Sequence, residues 1–293
     1  MKRILITGKD SYIGTSFDNW MKQYDGYQID TIDMIGDSWA EKDFSNYDTV
    51  FHVAGIAHSD TRHVNDDEKN KYYRINTALT IETAKKAKAD GVKQFIFMSS
   101  AIVYGESAAI GKSKIITKDT QASPVNFYGD SKLQAELGLQ QLEDEEFRVV
   151  ILRPPMIYGK GSKGNYPILS KIATVSPVFP HVNNQRSMLY VDNLAEFVKL
   201  IIDNEEHGIF CPQNAEYTNT SEMVKMIAEA KGRKIWIVYG FSWALKILSH
   251  FISTVNKAFG SMCYDQTMSV YKAEYRIFDL RKSIYITETE TEK

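Results

Sequence analysis

Cysteine is almost missing: the 293 residues contain two, Cys211 and Cys263, far apart in sequence and without a Cys-x-x-Cys or a histidine partner. This excludes a zinc site of ordinary spacing, and a disulfide framework is not expected in a chain of this size, so both thiols should be reduced and structural. Long apolar runs are also scarce. The N-terminal Ile4-Leu5-Ile6 stops at Thr7 and Gly8, too short for the core of a signal sequence, and reads instead as a strand beginning at Arg3. The most membrane-like stretch, Ile235 to Ile252, is broken by Gly240, Lys246 and His250. A transmembrane span tolerates fewer interruptions. The stretch reads as a strand followed by a buried or partly buried amphipathic helix, with contact at a membrane surface as the alternative reading. An excess of one charge is missing too: 35 Lys and Arg face 37 Asp and Glu, which leaves no electrostatic footprint for nucleic acid. No internal repeat and no low-complexity linker divides the chain, and a cytoplasmic protein is expected.

The length suits one large α/β unit with a small lobe. Over the first two-thirds, short apolar runs alternate with helical patterns, the mark of βαβ units and a parallel sheet. Strands are expected at Arg3–Thr7, Gln28–Asp33, Thr49–Ala54, Gln94–Ser99 and Arg148–Arg153. Helices are expected at Ser11–Gln23, Lys71–Asp90 and Asn126–Glu143, with Gly91 stopping the second. Between Asp33 and Thr49 the link is too short for an ordinary crossover helix, and the tract Ser38–Asn46 has room for a very short strand. Beyond Arg153, Pro154, Pro155, Gly159, Gly161 and Gly164 mark a loop-rich region. Helical patterns return at Asn193–Asn204, Ser221–Lys231 and Ser242–Phe259, and the terminal Thr287–Lys293 should fray.

Several stretches carry chemistry. Gly8, Ser11, Tyr12, Ile13 and Gly14 follow the first strand and open the first helix, where backbone N–H groups and the helix dipole suit a pyrophosphate. Asp33, at the end of the second strand, can accept both ribose hydroxyls of NAD and repel the 2′-phosphate of NADP. No Lys or Arg follows it until Lys42, so NAD is favoured over NADP. Tyr128 and Lys132 stand four apart on an expected helix and share a face. A phenol needs a nearby positive charge to act as a base at neutral pH, and Lys132 can supply it. Ser99 and Ser100 end the strand before them.

Together these motifs resemble the extended short-chain dehydrogenases, including nucleotide-sugar epimerases and 4-ketoreductases of polysaccharide biosynthesis. The family fingerprint TGxxGxxG is met except at its middle glycine, which is Ser11. If the backbone there is left-handed, a side chain costs about 1–2 kcal/mol. The resemblance implies that Asp43 and Phe44 lie at the adenine, that Val53, Ala54 and Gly55 line the cofactor, and that His52 packs or meets the cofactor edge and is not catalytic. It also implies that Ser100 holds the reacting sugar oxygen beside Tyr128 and Lys132, with Ser99 alongside. The run Arg153-Pro154-Pro155-Met156-Ile157-Tyr158-Gly159 resembles the family's RPxxxYG, which brings Pro155 to the nicotinamide. Asn76, Asn165 and Arg186 fall where the family shapes the active site or meets the substrate diphosphate; Arg is suited to phosphate by its forked donors.

The fold so implied is α/β: a Rossmann-like, doubly wound parallel sheet with a smaller, mostly helical C-terminal substrate lobe. Residues 1–160, with 185–210 returning, would bind NAD; 161–184 and 211–293 would bind substrate, a nucleotide-sugar with UDP favoured. A dimer is common in the family, and membrane contact is not expected. Dehydratases of the family follow the central hydroxyl residue with Asp-Glu, whereas Ala101 and Ile102 follow Ser100. Epimerase is the favoured reading and 4-ketoreductase the alternative. A non-catalytic NAD-sensing scaffold fits less well, because it has no need of Ser100, Tyr128 and Lys132 together.

Overall fold

The computed structural model describes residues 1–57, 65–240 and 259–289. It divides into two compact units, the first comprising Met1–Gly105, Gln121–Pro154 and Leu194–Pro212.

The first unit is built on six strands: β1 (Lys2–Thr7), β2 (Tyr27–Ile32), β3 (Thr49–His52), β4 (Gln94–Met98), β5 (Arg148–Leu152) and β6 (Gly208–Phe210). All neighbours are parallel, in the order β6-β5-β4-β3-β1-β2. Register aligns Leu5, Val50, Phe95 and Val149 in one row and Ile6, Phe51, Ile96 and Val150 in the next. Because side chains alternate along a strand, these rows face opposite sides. All eight residues are buried, which is why the strands read as continuous apolar runs rather than as alternating ones.

Helices cover both faces: α1 (Tyr12–Met21), α2 (Asp66–Tyr72), α3 (Leu79–Ala89), α4 (Phe127–Gln140) and α5 (Val191–Asp203). Ala84, Ala87, Ala135 and Leu139 join the Leu5 row in a single cluster. On the other face the ring of Phe17 meets Phe51 edge-on at 5.3 Å. From β1 the chain turns outward to β2, then returns past β1 to β3. The connections at the carboxyl ends of β1 and β3 therefore diverge and leave a crevice between them.

Strand and helix expectations in this unit hold to within a few residues, with two differences. Residues Ser38–Glu41 form a 3-10 turn, and the short strand expected within Ser38–Asn46 is absent. The expected helix Lys71–Asp90 begins earlier, at Asp66, and is interrupted by a π-helical turn over Tyr73–Ala78.

The second unit comprises Glu106–Thr120, Pro155–Asn193 and Gln213–Lys293. The boundary thus falls at Pro154 rather than at residue 160, and residues 106–120 belong here because Ile115–Ile116 pair with Cys263–Tyr264. Two further parallel pairs join Met156–Tyr158 to Met188–Tyr190 and Val178–Pro180 to Trp236–Val238. Helices span Asn165–Val175, Thr220–Ala230 and Leu280–Thr289. Tyr158 is buried in this unit, its hydroxyl 2.6 Å from Ser283 Oγ and accepting from Asn214 Nδ2 at 3.0 Å. Thr287–Thr289, expected to fray, continue the last helix. Most of the helix expected at Ser242–Phe259 lies outside the described residues. Among the described residues no helix is long and apolar enough to cross a membrane, and no cluster of metal-ligating side chains occurs.

Candidate active site

The turn from β1 into α1 is held by the backbone. Gly8 N and Lys9 N donate to Ile32 O at 2.9 and 3.1 Å. Gly8 adopts φ +107, and a Cβ there would stand 3.0 Å from Ala54 N; only glycine meets both demands. Gly14 is needed for packing, since a Cβ would press on Ile6 at 2.9 Å and Val53 at 3.2 Å. Ser11 carries none of the strain that its place in the motif suggested. Its φ is −69 and ψ 140, ordinary extended backbone, and its Oγ caps α1 by accepting from Gly14 N at 3.2 Å. The left-handed residue is Asp10, at φ 60, a type that tolerates the conformation. Tyr12 and Ile13 are half-buried in the first turn of α1.

Asp33 follows β2 directly and is exposed, its Oδ1 accepting from Ile35 N at 2.9 Å. Asp43 is exposed, and hydrogen bonds from Ser45 hold its carboxyl below the usual range. Phe44 is fully buried in the core cluster under Lys86, whose Nζ lies 4.9 Å from the ring. Val53, Ala54 and Gly55 continue β3 into the crevice. Gly55 is exposed, yet a Cβ would stand 3.1 Å from Asn76 Oδ1 and 3.2 Å from Lys132 Nζ. A strand–turn–helix with two obligatory glycines, an exposed carboxylate at the next strand end and a side-chain-free edge beside an ammonium fit a dinucleotide.

On the other wall, Ser100 leaves β4 in an extended conformation and accepts from Ile102 N at 3.3 Å. It stands near enough to Tyr128 to act on its phenol. Burial pushes the Tyr128 phenol up to about 12; Ser100 opposes this and nearby Tyr72 adds to it. Lys132, expected to supply the charge that favours the phenolate, lies on the same helix, α4. The ammonium is buried one turn further on, donating to Met98 O at 2.9 Å with its Nζ 4.7 Å from the Phe97 ring. Burial lowers it to about 8, against the charge of Glu136, which raises it.

Asn76 is fully buried in the π-helical turn. Its Oδ1 accepts from Ile56 N at 2.9 Å, and its Nδ2 donates to Ile56 O and Ser131 Oγ at 3.1 Å each. With the amide so engaged, Asn76 positions the Gly55 loop against α4; the direct substrate contact expected of it is not available. Pro155, Asn165 and Arg186 belong to the second unit. Pro155 is buried, Asn165 opens the helix after Gly164, and Arg186 is half-buried with its backbone bridged to Thr218 and Met262. Burial lowers the Arg186 guanidinium to about 10, with Cys263 opposing.

Two residues, Glu136 and Gly129, escaped the sequence reading. Glu136, buried on α4, accepts from Ser99 Oγ and from Arg153 Nε and Nη2, while Arg153 Nη1 donates to Tyr104 at 2.7 Å. Burial alone would lower the pKa of Arg153; hydrogen bonding and charge from Glu136 outweigh it and raise it. Gly129, in the first turn of α4, lies where a Cβ would meet Ile102 O at 2.9 Å. A glycine inside a helix costs roughly 1 kcal/mol relative to alanine, and that cost was the available signal for a close approach. For Glu136 the only signal was its place eight residues beyond Tyr128, indistinguishable in sequence from a solvated helix charge.

The profile of the NAD dependent epimerase/dehydratase family matches residues 4–210. The UDP-glucose 4-epimerase of Vibrio cholerae is 32% identical over 272 residues, covering 84% of this chain and 81% of the relative. The N-acetyl-alpha-D-glucosaminyl-diphospho-ditrans,octacis-undecaprenol 4-epimerase of Escherichia coli O157:H7 is 25% identical, covering 98% and 86%. Among solved structures, the UDP-glucuronic acid 4-epimerase of Bacillus cereus in complex with NAD superposes with a TM-score of 0.73 at 16% identity, covering 98% of this chain and 97% of the other.

Proposed function

Because the chain belongs to the NAD dependent epimerase/dehydratase family, we propose that it is a nucleotide-sugar 4-epimerase working through Ser100, Tyr128 and Lys132. The observation that carries this reading is Lys132, buried one turn beyond Tyr128 on the same helix, with Ser100 near enough to Tyr128 to act on its phenol. Gly8, Tyr12, Ile13, Gly14, Asp33 and Gly55 would hold NAD, with Asp43, Phe44, Val53, Ala54, Ser99 and Pro155 completing its surroundings. NAD, when bound, would supply a reversible hydride acceptor for the sugar carbon.

The protein's own part is proton movement and charge placement. Tyr128 takes the proton of the sugar 4-hydroxyl as the carbonyl forms, and gives it back when the other face is reduced. Ser100 donates to the sugar oxygen and stabilises charge there. A phenol raised by burial holds its proton in the resting site, so the Lys132 ammonium is needed to lower it when substrate approaches. Asn165 and Arg186 would meet the diphosphate. Relatives named for UDP-sugars support UDP as the nucleotide. The unstrained Ser11 supports firm cofactor retention, which a redox-neutral epimerase needs and a ketoreductase does not. Ala101 and Ile102 offer no acid–base pair for dehydration.

Incubation with UDP-, GDP- and dTDP-hexoses is expected to yield the 4-epimer without added reductant. Stoichiometric NADH or NADPH consumption would make the protein a reductase instead. Tyr128→Phe is expected to abolish turnover with cofactor binding intact; undiminished turnover removes Tyr128 from the reaction.

A further inference from the structure

Gly129 is buried in the first turn of α4, next to Tyr128, and Asn126 caps that turn by accepting from Gly129 N at 2.9 Å. A Cβ at this position would stand 2.9 Å from Ile102 O and 3.0 Å from Pro124 Cβ. Ile102 belongs to the 3-10 turn Ala101–Tyr104 that Ser100 opens, and its N–H donates to Ser100 Oγ at 3.3 Å. The helix that carries Tyr128 thus meets the turn that follows Ser100 at a residue with no side chain.

What would yield to an added methyl group decides what the glycine is for. The turn is pinned from three directions. Ala101 N donates to Pro154 O at 2.9 Å, Ser123 N to Val103 O at 2.9 Å, and Gly105 N to Ile102 O itself at 2.8 Å. Ordinary contact begins at 3.4 Å, so relief requires about half an ångström, and a hydrogen-bonded helical turn moves as a piece, taking Tyr128 with residue 129. Lys132 can follow on its flexible four-carbon stem and keep its bond to Met98 O. A glycine inside a helix forgoes roughly 1 kcal/mol relative to alanine, and Gly138, later in α4, forgoes the same. There a Cβ would press on the end of the Ile81 side chain, which can turn aside. At Gly129 the obstacle is backbone.

We propose that Gly129 is a positioning residue for the reaction proposed above: its bare Cα lets α4 close on the turn after Ser100 and so sets the separation between the Ser100 hydroxyl and the Tyr128 phenol. The catalytic consequence rests on the Ser100, Tyr128 and Lys132 reading; the geometry does not.

Gly129→Ala and Gly138→Ala, each compared with the unaltered protein by crystal structure, thermal midpoint and steady-state epimerisation of a UDP-hexose, test this. Gly129→Ala is expected to fold and to bind NAD. Its Tyr128 Oη should stand about half an ångström further from Ser100 Oγ, and kcat should fall about tenfold with KM changed by less than about twofold, since an ångström of misplacement is worth about a hundredfold. Gly138→Ala should keep both the separation and kcat. An unmoved Ser100–Tyr128 separation in Gly129→Ala overturns the proposal. So does a loss carried by KM or matched by Gly138→Ala, and so does a Gly129→Ala chain that no longer folds, because the glycine then serves packing alone. If the unaltered protein turns over no sugar while the separation moves as expected, the epimerase reading fails and the placement by Gly129 stands.

Discussion

Glu136 shares a face of α4 with Tyr128 and Lys132, because positions four apart stack along a helix. It is 1% exposed and neutralises Arg153 while accepting from Ser99, the neighbour of Ser100. Removing one partner of such a pair strands the other charge in the interior, at a cost of about 3–5 kcal/mol. Glu136→Gln is therefore expected to lower unfolding stability by that order in urea titration; a loss within error would mean that Arg153 finds other support. A second effect follows through Lys132. Its ammonium, lowered by burial to about 8, is present below that pH and lost above it. If the charge serves Tyr128, turnover falls as pH rises through about 8. Glu136 raises Lys132, so Glu136→Gln should shift this falling limb to lower pH. A pH–rate profile with an unmoved limb would detach Lys132 from the decline.

At the scale of elements, β3 and the π-helical turn are tied by a buried histidine. Thr80 Oγ1 donates to Asn76 O at 2.9 Å, so it must accept from His52 Nε2 at 3.1 Å; Nδ1 then accepts from Thr7 Oγ1 at 2.7 Å. This ladder supports the turn that carries Asn76 and leaves His52 no catalytic part. Burial, with the charge of Lys132 second, lowers His52 from 6.5 to about 3. Between those values the unfolded chain binds a proton that the folded chain does not, so stability falls as pH drops from about 6.5 toward 3. The slope reaches about 1.4 kcal/mol per pH unit for one such group. His52→Gln should flatten the part of the urea midpoint curve that this residue causes, and an unchanged slope would assign it to other groups.

The same elements show what a sequence can disclose. Strands buried on both faces were legible as apolar runs, and the glycines at Gly8 and Gly14 as backbone necessities. The helices Asn165–Val175 and Leu280–Thr289 were missed because Pro167 interrupts the first pattern and polar residues dominate the second, although proline is tolerated in a first helical turn. The backbone at Ser11 was not legible, because a motif specifies residue types and not the dihedral angle at each position. Glu136, Arg153 and Asn76 acquire their roles only from partners distant in sequence.

The chain passes between its two units five times, so neither unit is a separable stretch of sequence. Each nevertheless contains one buried thiol that is in no disulfide, Cys211 in the first and Cys263 in the second. Burial pushes the Cys263 thiol up to about 11, and a buried, protonated thiol reacts slowly with disulfide reagents. Labelling of single-thiol variants in mild urea therefore reports the opening of one unit at a time. Nearly all the residues proposed to hold NAD lie in the first unit. A ligand that binds only the folded form, present at a hundred times its Kd, stabilises it by about 2.7 kcal/mol. With Cys263→Ala, NAD at that excess should slow Cys211 labelling by about a hundredfold where labelling follows the opening equilibrium. Unchanged labelling would place the cofactor away from the β1–α1 turn, and with it the proposed assignment of Ser100, Tyr128 and Lys132 to hydride chemistry would fail.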